Sequence, residues 1–338
     1  MMTSEFISLD HGSGGKIAHR LTADLLLPLF DNPILSDMHD GAVLALNDHT
    51  RVAFSTDTFT VTPLFFPGGD IGELAVNGTI NDVAMCGATP LFISLALIIE
   101  EGFPMADLTR ILQSIQQAAT RAGVQVVTGD TKVVPKGAAD GLFINTSGIG
   151  LIPENVTIGS TGARPGDKII LSGTMADHGM TILTQREGLS FDHAIQSDSA
   201  PLNQMVAKIL AASGKVHVLR DPTRGGVGTT LNEIAESSRA GIILQESRLP
   251  VREAVAGVCE LLGFDPLYVA NEGKLLAFVA AEDAEKVLAA IQSDPFGREA
   301  CVIGDVTAEH PGQVVLETLI GGRRIVDMLT GEQLPRIC

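Results

Sequence analysis

The chain has 338 residues, more than one average domain needs, and 45% of them are hydrophobic, which suffices for two cores. Its 23 basic and 40 acidic residues give a formal net charge of −17 at pH 7. Because such a field repels phosphate backbones and anionic lipids, we expect neither nucleic acid nor a membrane as a partner.

The four cysteines, Cys86, Cys259, Cys301 and Cys338, include no CxxC pair. This spacing argues against a zinc knuckle or a disulfide framework and favours a reducing compartment. The first ten residues lack the basic and apolar segments of a signal peptide, and no apolar run approaches the roughly 20 residues that span a bilayer. We therefore expect a soluble, cytoplasmic protein.

In chain order, residues 1–40 combine a glycine cluster at 12–15 with an amphipathic stretch from Ile17 to Phe30, and we expect a flexible N-terminal segment. From residue 42 onward, segments with the period of strands alternate with segments of helical period. The first half predicts strands at Val43–Leu46, Arg51–Ser55, Leu91–Ile99, Val124–Thr128 and Leu142–Ile149, and helices at Ile71–Cys86 and Met105–Ala122.

The stretch 153–167 is rich in Gly, Pro and Thr and is the predicted domain boundary. Beyond it, the pattern predicts strands at Lys168–Ser172, Val216–Leu219, Lys274–Ala280, Cys301–Val306 and Arg324–Met328, and helices at Ala200–Ala212, Val227–Ala240, Val251–Leu262 and Ala284–Gln292. This alternation predicts an α/β (or α+β) protein of two domains, 41–155 and 156–320, between the N-terminal segment and a mobile tail, 321–338, that ends in Cys338.

The glycine cluster places Gly12, Gly14 and Gly15 before Lys16 and a predicted helix. Backbone N–H groups in such a turn can bind phosphate because glycine lets the chain approach closely. The pattern is neither a P-loop nor a dinucleotide fingerprint, so a plain N-terminal turn remains the alternative.

Acidic residues stand where predicted elements meet loops or, in the case of Asp82, inside an otherwise apolar helix. An ionised carboxylate beside an apolar face is costly without a partner. Taken singly, each is better explained as a cap or a turn residue. As a set they favour a Mg²⁺ ion that holds a polyphosphate, since Mg²⁺ takes hard oxygen ligands. The set comprises Asp40, Asp57, Asp82, Asp130 and Asp221.

Two further residues can take part in proton or phosphate chemistry. Glu272 can act as a general base if desolvation raises its pKa, and its alternative is an ion pair with Lys274. Lys132 can bind phosphate or polarise a carbonyl, and its alternative is a solvated loop lysine.

Cys338 is the last residue of the sequence and can present its thiol to another site. The adjacent α-carboxylate should raise the thiol pKa, and Arg336 should lower it. The alternative is an inert surface thiol. The other three cysteines lie in apolar elements and are predicted core residues.

Together these segments resemble the HypE family of carbamoyl dehydratases, in the superfamily of aminoimidazole ribonucleotide synthetase and selenophosphate synthetase. The superfamily shares the aspartates of the first domain, whereas the terminal Pro335-Arg336-Ile337-Cys338 is specific to this family. The resemblance runs from His11 to the end and includes Ser55–Phe59, Asn81–Val83, Thr128–Val133, Arg220–Gly226 and Asn271–Lys274.

The resemblance implies a two-domain aminoimidazole ribonucleotide synthetase-like fold whose first domain binds ATP and forms a homodimer. It implies that a carbamoyltransferase, HypF, loads a carbamoyl group onto Cys338. ATP-dependent dehydration then leaves a thiocyanate. The cyano group passes to iron held by HypC and HypD, for the [NiFe]-hydrogenase centre.

The resemblance also implies site residues. Cys338, Lys132 and Glu272 are the expected catalytic residues. ATP is expected at Gly12, Gly14, Gly15, Lys16, Asp57, Asn81, Asp82 and Asp130, and Mg²⁺ at Asp40, Asp57, Asp82 and Asp221. Two alternatives stay open: another superfamily enzyme that phosphorylates a small molecule, which has no need of Cys338, and a non-catalytic thiol carrier, which would not bind ATP.

Overall fold

The structure is a computed structural model that describes residues 6–12, 14–30, 32–189, 195–331, 334 and 337–338. Pro335 and Arg336 of the terminal motif lie outside the described residues, and so does the predicted effect of Arg336 on the thiol.

The secondary structure alternates strands and helices, as the two periods of the sequence indicate. The strands are β1 (Ala42–Asn47), β2 (Thr50–Phe59), β3 (Phe65–Phe66), β4 (Gly69–Asp70), β5 (Thr89–Glu100), β6 (Gln125–Val134), β7 (Leu142–Ile152), β8 (Lys168–Leu171), β9 (Val216–Arg220), β10 (Gly241–Gln245), β11 (Leu276–Val279), β12 (Cys301–Thr307), β13 (Val314–Glu317) and β14 (Arg323–Val326). The helices are α1 (Lys16–Leu21), α2 (Leu27–Phe30), α3 (Ile71–Met85), α4 (Met105–Ala122), α5 (Asp177–Arg186), α6 (Asn203–Ala212), α7 (Gly226–Ser238), α8 (Glu253–Leu262) and α9 (Ala284–Gln292).

The first sheet has the strand order β1-β2-β7-β5-β6, and only β5 and β6 run parallel. Helix α4 connects these two parallel strands, as a crossover between parallel neighbours requires. Helix α3 is apolar almost throughout and is buried along nearly its whole length, because it lies between this sheet, α4 and α6. The opposite face of the sheet carries exposed apolar side chains.

The second sheet has the order β14-β13-β10-β12-β8-β11-β9, with β10 and β13 its only parallel pair. Helices α6 and α9 pack on one face and α7 on the other. One core contains residues of both domains, since Val83 and Met85 of α3 join Met205 and Ile209 of α6 in it. The two domains therefore share an apolar interior, and a site between them is held rigidly.

Several predicted bounds need correction. Strand β2 continues past Ser55 to Phe59, and β6 continues past Thr128 to Val134, because β7 and β5 go on pairing with them. Asp57 and Asp130 thus lie within strands and not at strand ends as predicted. The sequence pattern missed α5, β10 and β13, two of which are strands of only four or five residues.

The segment predicted as a mobile tail begins inside the second sheet, because residues 323–326 form β14 and pair with β13. Cys301, predicted as core, is only half-buried. Cys86 and Cys259 are buried as predicted. No helix in the described part of the chain has the length and apolar character needed to cross a membrane.

Candidate active site

The chain end is docked in a cleft between the two domains. The backbone N–H of Thr60, just after β2, donates to the Cys338 carboxylate oxygen at 3.1 Å. The carbonyl oxygen of Ile337 lies 2.7 Å from His178 Nε2 on α5. The Ile337 side chain is 4% exposed and packs in the first domain's core cluster. These contacts hold the half-buried Cys338, whose thiol is the group predicted to carry the reaction, in the cleft.

The Cys338 thiol faces Arg224, Glu272 and Asp57. Burial raises the pKa of the thiol to about 12, Arg224 opposes that rise, and the hydrogen bond with Glu272 and the negative charges add to it. A thiol with this pKa stays protonated at neutral pH, so the docked cysteine is a poor nucleophile.

Glu272 is 4% exposed, and its Oε1 has no hydrogen-bond partner among the described residues. Burial, followed by the charge of Asp221, raises its pKa well above the usual range for a glutamate. The alternative ion pair with Lys274 does not form, since Lys274 Nζ lies 3.0 Å from Asp198 Oδ2. Glu272 is therefore left to face the thiol.

The segment around Glu272 is fixed by close backbone packing. Asp198 Oδ1 accepts a hydrogen bond from the Glu272 backbone N–H at 3.1 Å. A Cβ on Gly273 would lie only 1.8 Å from the Asp198 carbonyl oxygen, so glycine is required there. The amide of Asn81 donates to the carbonyls of Ala200 and Glu272 at 3.1 and 3.4 Å.

Asn81 was predicted to bind nucleotide, but both its polar atoms are engaged within the protein. Its Oδ1 accepts from the Leu202 backbone N–H at 2.8 Å. Since it also holds the Glu272 carbonyl, its observed position joins α3 to the second domain and orients Glu272.

Four predicted aspartates come together beside the thiol. Asp57 lies on β2, Asp82 on α3, Asp40 just before β1, and Asp221 just after β9. Burial raises the pKa of every one of them, to about 6 for Asp40, and for Asp82 the charges of Asp57, Asp221 and Asp40 raise it further. Ser55 Oγ donates to Asp82 Oδ2 at 2.6 Å. The carboxylates thus form one mutually repelling group.

Positive charge in this cleft is scarce. Arg220 Nε lies 2.6 Å from Asp40 Oδ1, and its other end pairs with Glu233 at 2.8 Å. Asp40 Oδ2 is buried without a hydrogen-bond partner in the described structure. This unsatisfied oxygen, beside the carboxylates of Asp57, Asp82 and Asp221, fits a hard cation such as Mg²⁺. Within the described ranges, no three His, Cys, Asp or Glu side chains form a finished metal site, so the remaining ligands would have to come from a bound phosphate or water.

The glycine cluster lies against the same cleft. Gly14 has a φ of +77°, and a Cβ there would lie 2.9 Å from both the Cβ and the carbonyl oxygen of Arg224. The Lys16 backbone N–H donates to the Leu329 carbonyl at 2.7 Å, and Gly15 packs on the same carbonyl. Gly12 is exposed. The structure therefore places the predicted phosphate loop beside the Arg220–Gly226 turn.

Lys132 and Asp130 lie elsewhere. Both are exposed on β6, an edge strand, and they pair with each other at 2.6 Å. Neither is among the groups that face Cys338. Three residues of the site were not predicted: Arg224, Asp198 and the buried His178. Arg224 stands in the Arg220–Gly226 motif, which is the signal that could have found it.

Comparison with known families assigns the class of protein to which this chain belongs. The family model for the AIR synthase related protein, N-terminal domain, matches residues 38–152, and the one for its C-terminal domain matches residues 164–317. Together they cover most of the chain, which therefore belongs to the AIR synthase related proteins.

Closer relatives narrow the assignment. The chain is 54% identical to carbamoyl dehydratase HypE of Cupriavidus necator over 98% of this chain and 95% of that protein. The crystal structure of hydrogenase maturation protein HypE in complex with ATP has 53% identity and a TM-score of 0.83, over 98% of this chain and 100% of that one. A HypE-HypF complex gives 47% identity and a TM-score of 0.87, over 91% and 99%. The chain belongs to the HypE carbamoyl dehydratase family.

The aspartate group predicts an unusual dependence of stability on pH. A carboxyl whose folded pKa is raised binds more protons folded than unfolded, so stability falls as pH rises from the usual pKa, near 4, through the raised one. Asp82→Asn removes one repelling charge and should increase the free energy of unfolding of the ligand-free protein by about 1–3 kcal/mol at pH 8. Urea unfolding at pH 5 and pH 8 measures this, and the gain should shrink at pH 5.

The control is Asp130→Asn, which removes an exposed carboxylate and should change stability by no more than about 0.5 kcal/mol. Equal destabilisation of the Asp82 variant at both pH values would show that its carboxylate is satisfied and not repelled.

Proposed function

We propose that this protein is an ATP-dependent carbamoyl dehydratase that converts an S-carbamoyl group on its own Cys338 to a thiocyanate. The product supplies the cyanide ligand for the iron centre of a [NiFe]-hydrogenase. The observation that carries the proposal is the docking of the Cys338 thiol against the buried Glu272, whose Oε1 has no hydrogen-bond partner among the described residues, beside an acidic cleft and a glycine-rich turn.

The reaction removes the carbamoyl oxygen and two protons from the carbamoyl nitrogen. ATP supplies the phosphoryl group that turns this oxygen into a leaving group. Glu272 accepts protons from the nitrogen as the C–O bond breaks and the C≡N bond forms. A general base works best when its pKa lies near the operating pH, and burial moves Glu272 in that direction.

The other groups of the cleft would bind Mg²⁺ and the phosphates of ATP and neutralise their charges. Mg²⁺ would be held by carboxylates drawn from Asp40, Asp57, Asp82 and Asp221, where it would offset the charge of the polyphosphate. Backbone N–H groups of the turn at Gly12, Gly14, Gly15 and Lys16 would bind phosphate oxygens. Arg224 faces the sulfur and stabilises negative charge that develops on the group it carries.

A homodimer is part of the proposal. Phe54, Ile149 and Phe92 are register neighbours on β2, β7 and β5, and all three are exposed. A contiguous apolar row of this kind marks an interaction surface. Lys132 is the register neighbour of the exposed Ile98 on the same sheet, so the proposed roles of Lys132 and Asp130 at the nucleotide depend on this dimer.

The proposed partners follow from the chemistry at the chain end. A half-buried thiol with a raised pKa is a poor nucleophile in place, so the end would leave the cleft to meet HypF, which the HypE of a solved complex binds. The thiocyanate must then meet an acceptor of cyanide, the iron held by HypC and HypD. We place this reaction in the cytoplasm, because free cysteines are typical of proteins in a reducing compartment.

Two other functions explain fewer features of the cleft. A superfamily enzyme that phosphorylates a small molecule would not need Cys338 beside its base. A non-catalytic thiol carrier would not need buried carboxylates next to the thiol. Retained turnover of a small substrate by Cys338→Ala would favour the first. Absence of Mg-ATP binding in calorimetry would favour the second.

Replacing Glu272 by Gln should separate loading from dehydration. With HypF, carbamoyl phosphate and Mg-ATP, the wild type should gain one carbamoyl group by intact mass and then lose one water. The variant should accumulate the carbamoyl form and dehydrate at least about 100-fold more slowly, since an amide accepts no proton. Cys338→Ala should gain no mass.

Glu299→Gln, a change of an exposed glutamate, is the matched control and should dehydrate at the wild-type rate. Normal thiocyanate formation by Glu272→Gln would remove Glu272 from the base role, whereas loading of Cys338→Ala would move the acceptor to another residue.

The proposed dimer predicts a change in molar mass. Ile149 lies at the middle of the exposed apolar row, so Ile149→Glu would bury a charge at the interface and should yield monomers in light scattering. Leu261→Glu, on the exposed side of α8, should leave the mass unchanged. A wild type that is monomeric at micromolar concentration contradicts the dimer.

A further inference from the structure

His178 is a buried histidine to which the proposed chemistry gives no role. It lies in the first turn of α5 and is 0% exposed. Its ring meets Phe66 edge-on, with centroids 5.6 Å apart and planes at 86°. A buried histidine must place both ring nitrogens in hydrogen bonds, because an unpaired polar atom away from water is costly.

Both nitrogens have partners, and the partners fix the tautomer. The Ile337 carbonyl only accepts hydrogen bonds, so Nε2, at 2.7 Å from it, carries the proton. Nδ1 lies 2.8 Å from Ser197 Oγ, which accepts a bond from the Ser199 backbone N–H at 3.1 Å and so turns its own hydrogen toward the ring. The imidazole is therefore neutral, with Nε2–H aimed at the chain end.

The carbonyl group to which His178 donates belongs to Ile337, the residue immediately before Cys338. The Thr60 backbone N–H holds the carboxylate oxygen on the other side of the same Cα atom. These two bonds, one from each domain, fix the backbone of the last residue from both sides. The direction of the Cys338 side chain, and hence the position of its sulfur against Glu272, follows from them.

We propose that His178 is a positioning residue that holds the docked chain end through its Nε2–H bond to the Ile337 carbonyl. The proposal deepens the proposed function, because the docked state is the one in which Glu272 meets the group on Cys338. His178 is not among the groups that face the Cys338 sulfur. Its loss should therefore slow dehydration and leave carbamoyl loading, which takes place away from the cleft, unimpaired.

The first test measures docking without any enzyme assay. Iodoacetamide reacts faster with a cysteine that is exposed and ionised than with one that is half-buried and protonated, so the Cys338 rate rises with the undocked fraction. Loss of one buried hydrogen bond should raise that rate about tenfold in His178→Leu, equivalent to about 1.4 kcal/mol. Peptide mass spectrometry identifies the residue, and the half-buried Cys301 serves as an internal standard whose rate should not change.

The conservative variant tests the bond itself. In His178→Gln the side-chain amide can donate to the Ile337 carbonyl and accept from Ser197, as the neutral ring does, so slow alkylation should return to within about threefold of wild type. His217→Leu is the matched control. It removes another histidine contact, to Asp167 at 2.8 Å, without touching the chain end, and should leave Cys338 alkylation unchanged.

The second test follows a single turnover of protein already carbamoylated on Cys338. His178→Leu should dehydrate about tenfold more slowly with an unchanged KM for ATP, and His178→Gln should recover most of the rate. Because alkylation needs neither ATP nor HypF, it still reports on the contact if the proposed function fails.

Two results would overturn the proposal. The first is a Cys338 alkylation rate in His178→Leu that equals the wild-type rate. The second is an equally fast rate in the Gln and Leu variants, which would assign the effect to packing of the ring. If the Leu variant does not fold, His178→Asn takes its place. Its amide is one methylene too short to reach the Ile337 carbonyl, and the same two results apply to it.

Discussion

The site depends on one electrostatic constraint: largely buried acidic groups crowd a cleft with little positive charge. Each carboxylate loses hydration on burial and is repelled by its neighbours, so its proton is held more tightly than usual. A cation, or a substrate that brings one, would relieve that repulsion. Perturbed carboxyl groups of this kind are typical of functional sites and unfavourable for stability. The groups are Asp40, Asp57, Asp82, Asp221 and Glu272, with Arg220 and Arg224 as the cations that face them.

The fold maintains this arrangement because both domains contribute to one rigid wall. Helix α3 supplies Asp82 and Asn81, and the Asn81 amide holds the Glu272 carbonyl of the second domain. Asp198 holds the same segment, because it accepts a hydrogen bond from the Glu272 backbone N–H and forms an ion pair with Lys274. Separation of the domains would therefore disperse the carboxylates as well as expose the shared core. The repulsion between the carboxylates is tolerated because well-packed apolar residues and backbone hydrogen bonds hold these side chains in place.

Periodicity and motif spacing predicted much of this and failed for physical reasons. Helices α4 and α9 match their predicted bounds, since their apolar stripes are regular. Four of the five predicted aspartates lie together, although Asp57 is inside a strand and Asp82 inside a helix, whereas Asp130 lies apart on β6. Spacing alone could not decide between a free Glu272 and a pair with Lys274, because the lysine's partner, Asp198, is 76 residues away.

Other residues gave no usable pattern. Lys132 and Asp130 sit in a motif beside the aspartates, but only the strand order shows that they lie on an exposed edge. His178 stands in a helix that is buried on nearly every side, so no amphipathic period marked it. Its partner is the backbone carbonyl of Ile337, and a backbone acceptor leaves no trace in residue identity.

The thiol has two requirements that no single position can meet. Loading needs a thiolate, and hence water or cations around the sulfur, whereas dehydration needs a dry cleft with a base in reach. In the docked state burial raises the thiol pKa to about 12, which suppresses attack and favours the second requirement. Strand β14 fixes the chain only as far as Val326. The residues beyond it span at most roughly 40 Å when extended, enough to carry the sulfur out of the cleft. Placing the sulfur at the chain end lets one residue meet both requirements in turn, provided that the docked contacts are strong enough to orient it and weak enough to release it. The docked end meets that condition with two backbone hydrogen bonds of about 1 kcal/mol each and one buried apolar side chain, that of Ile337.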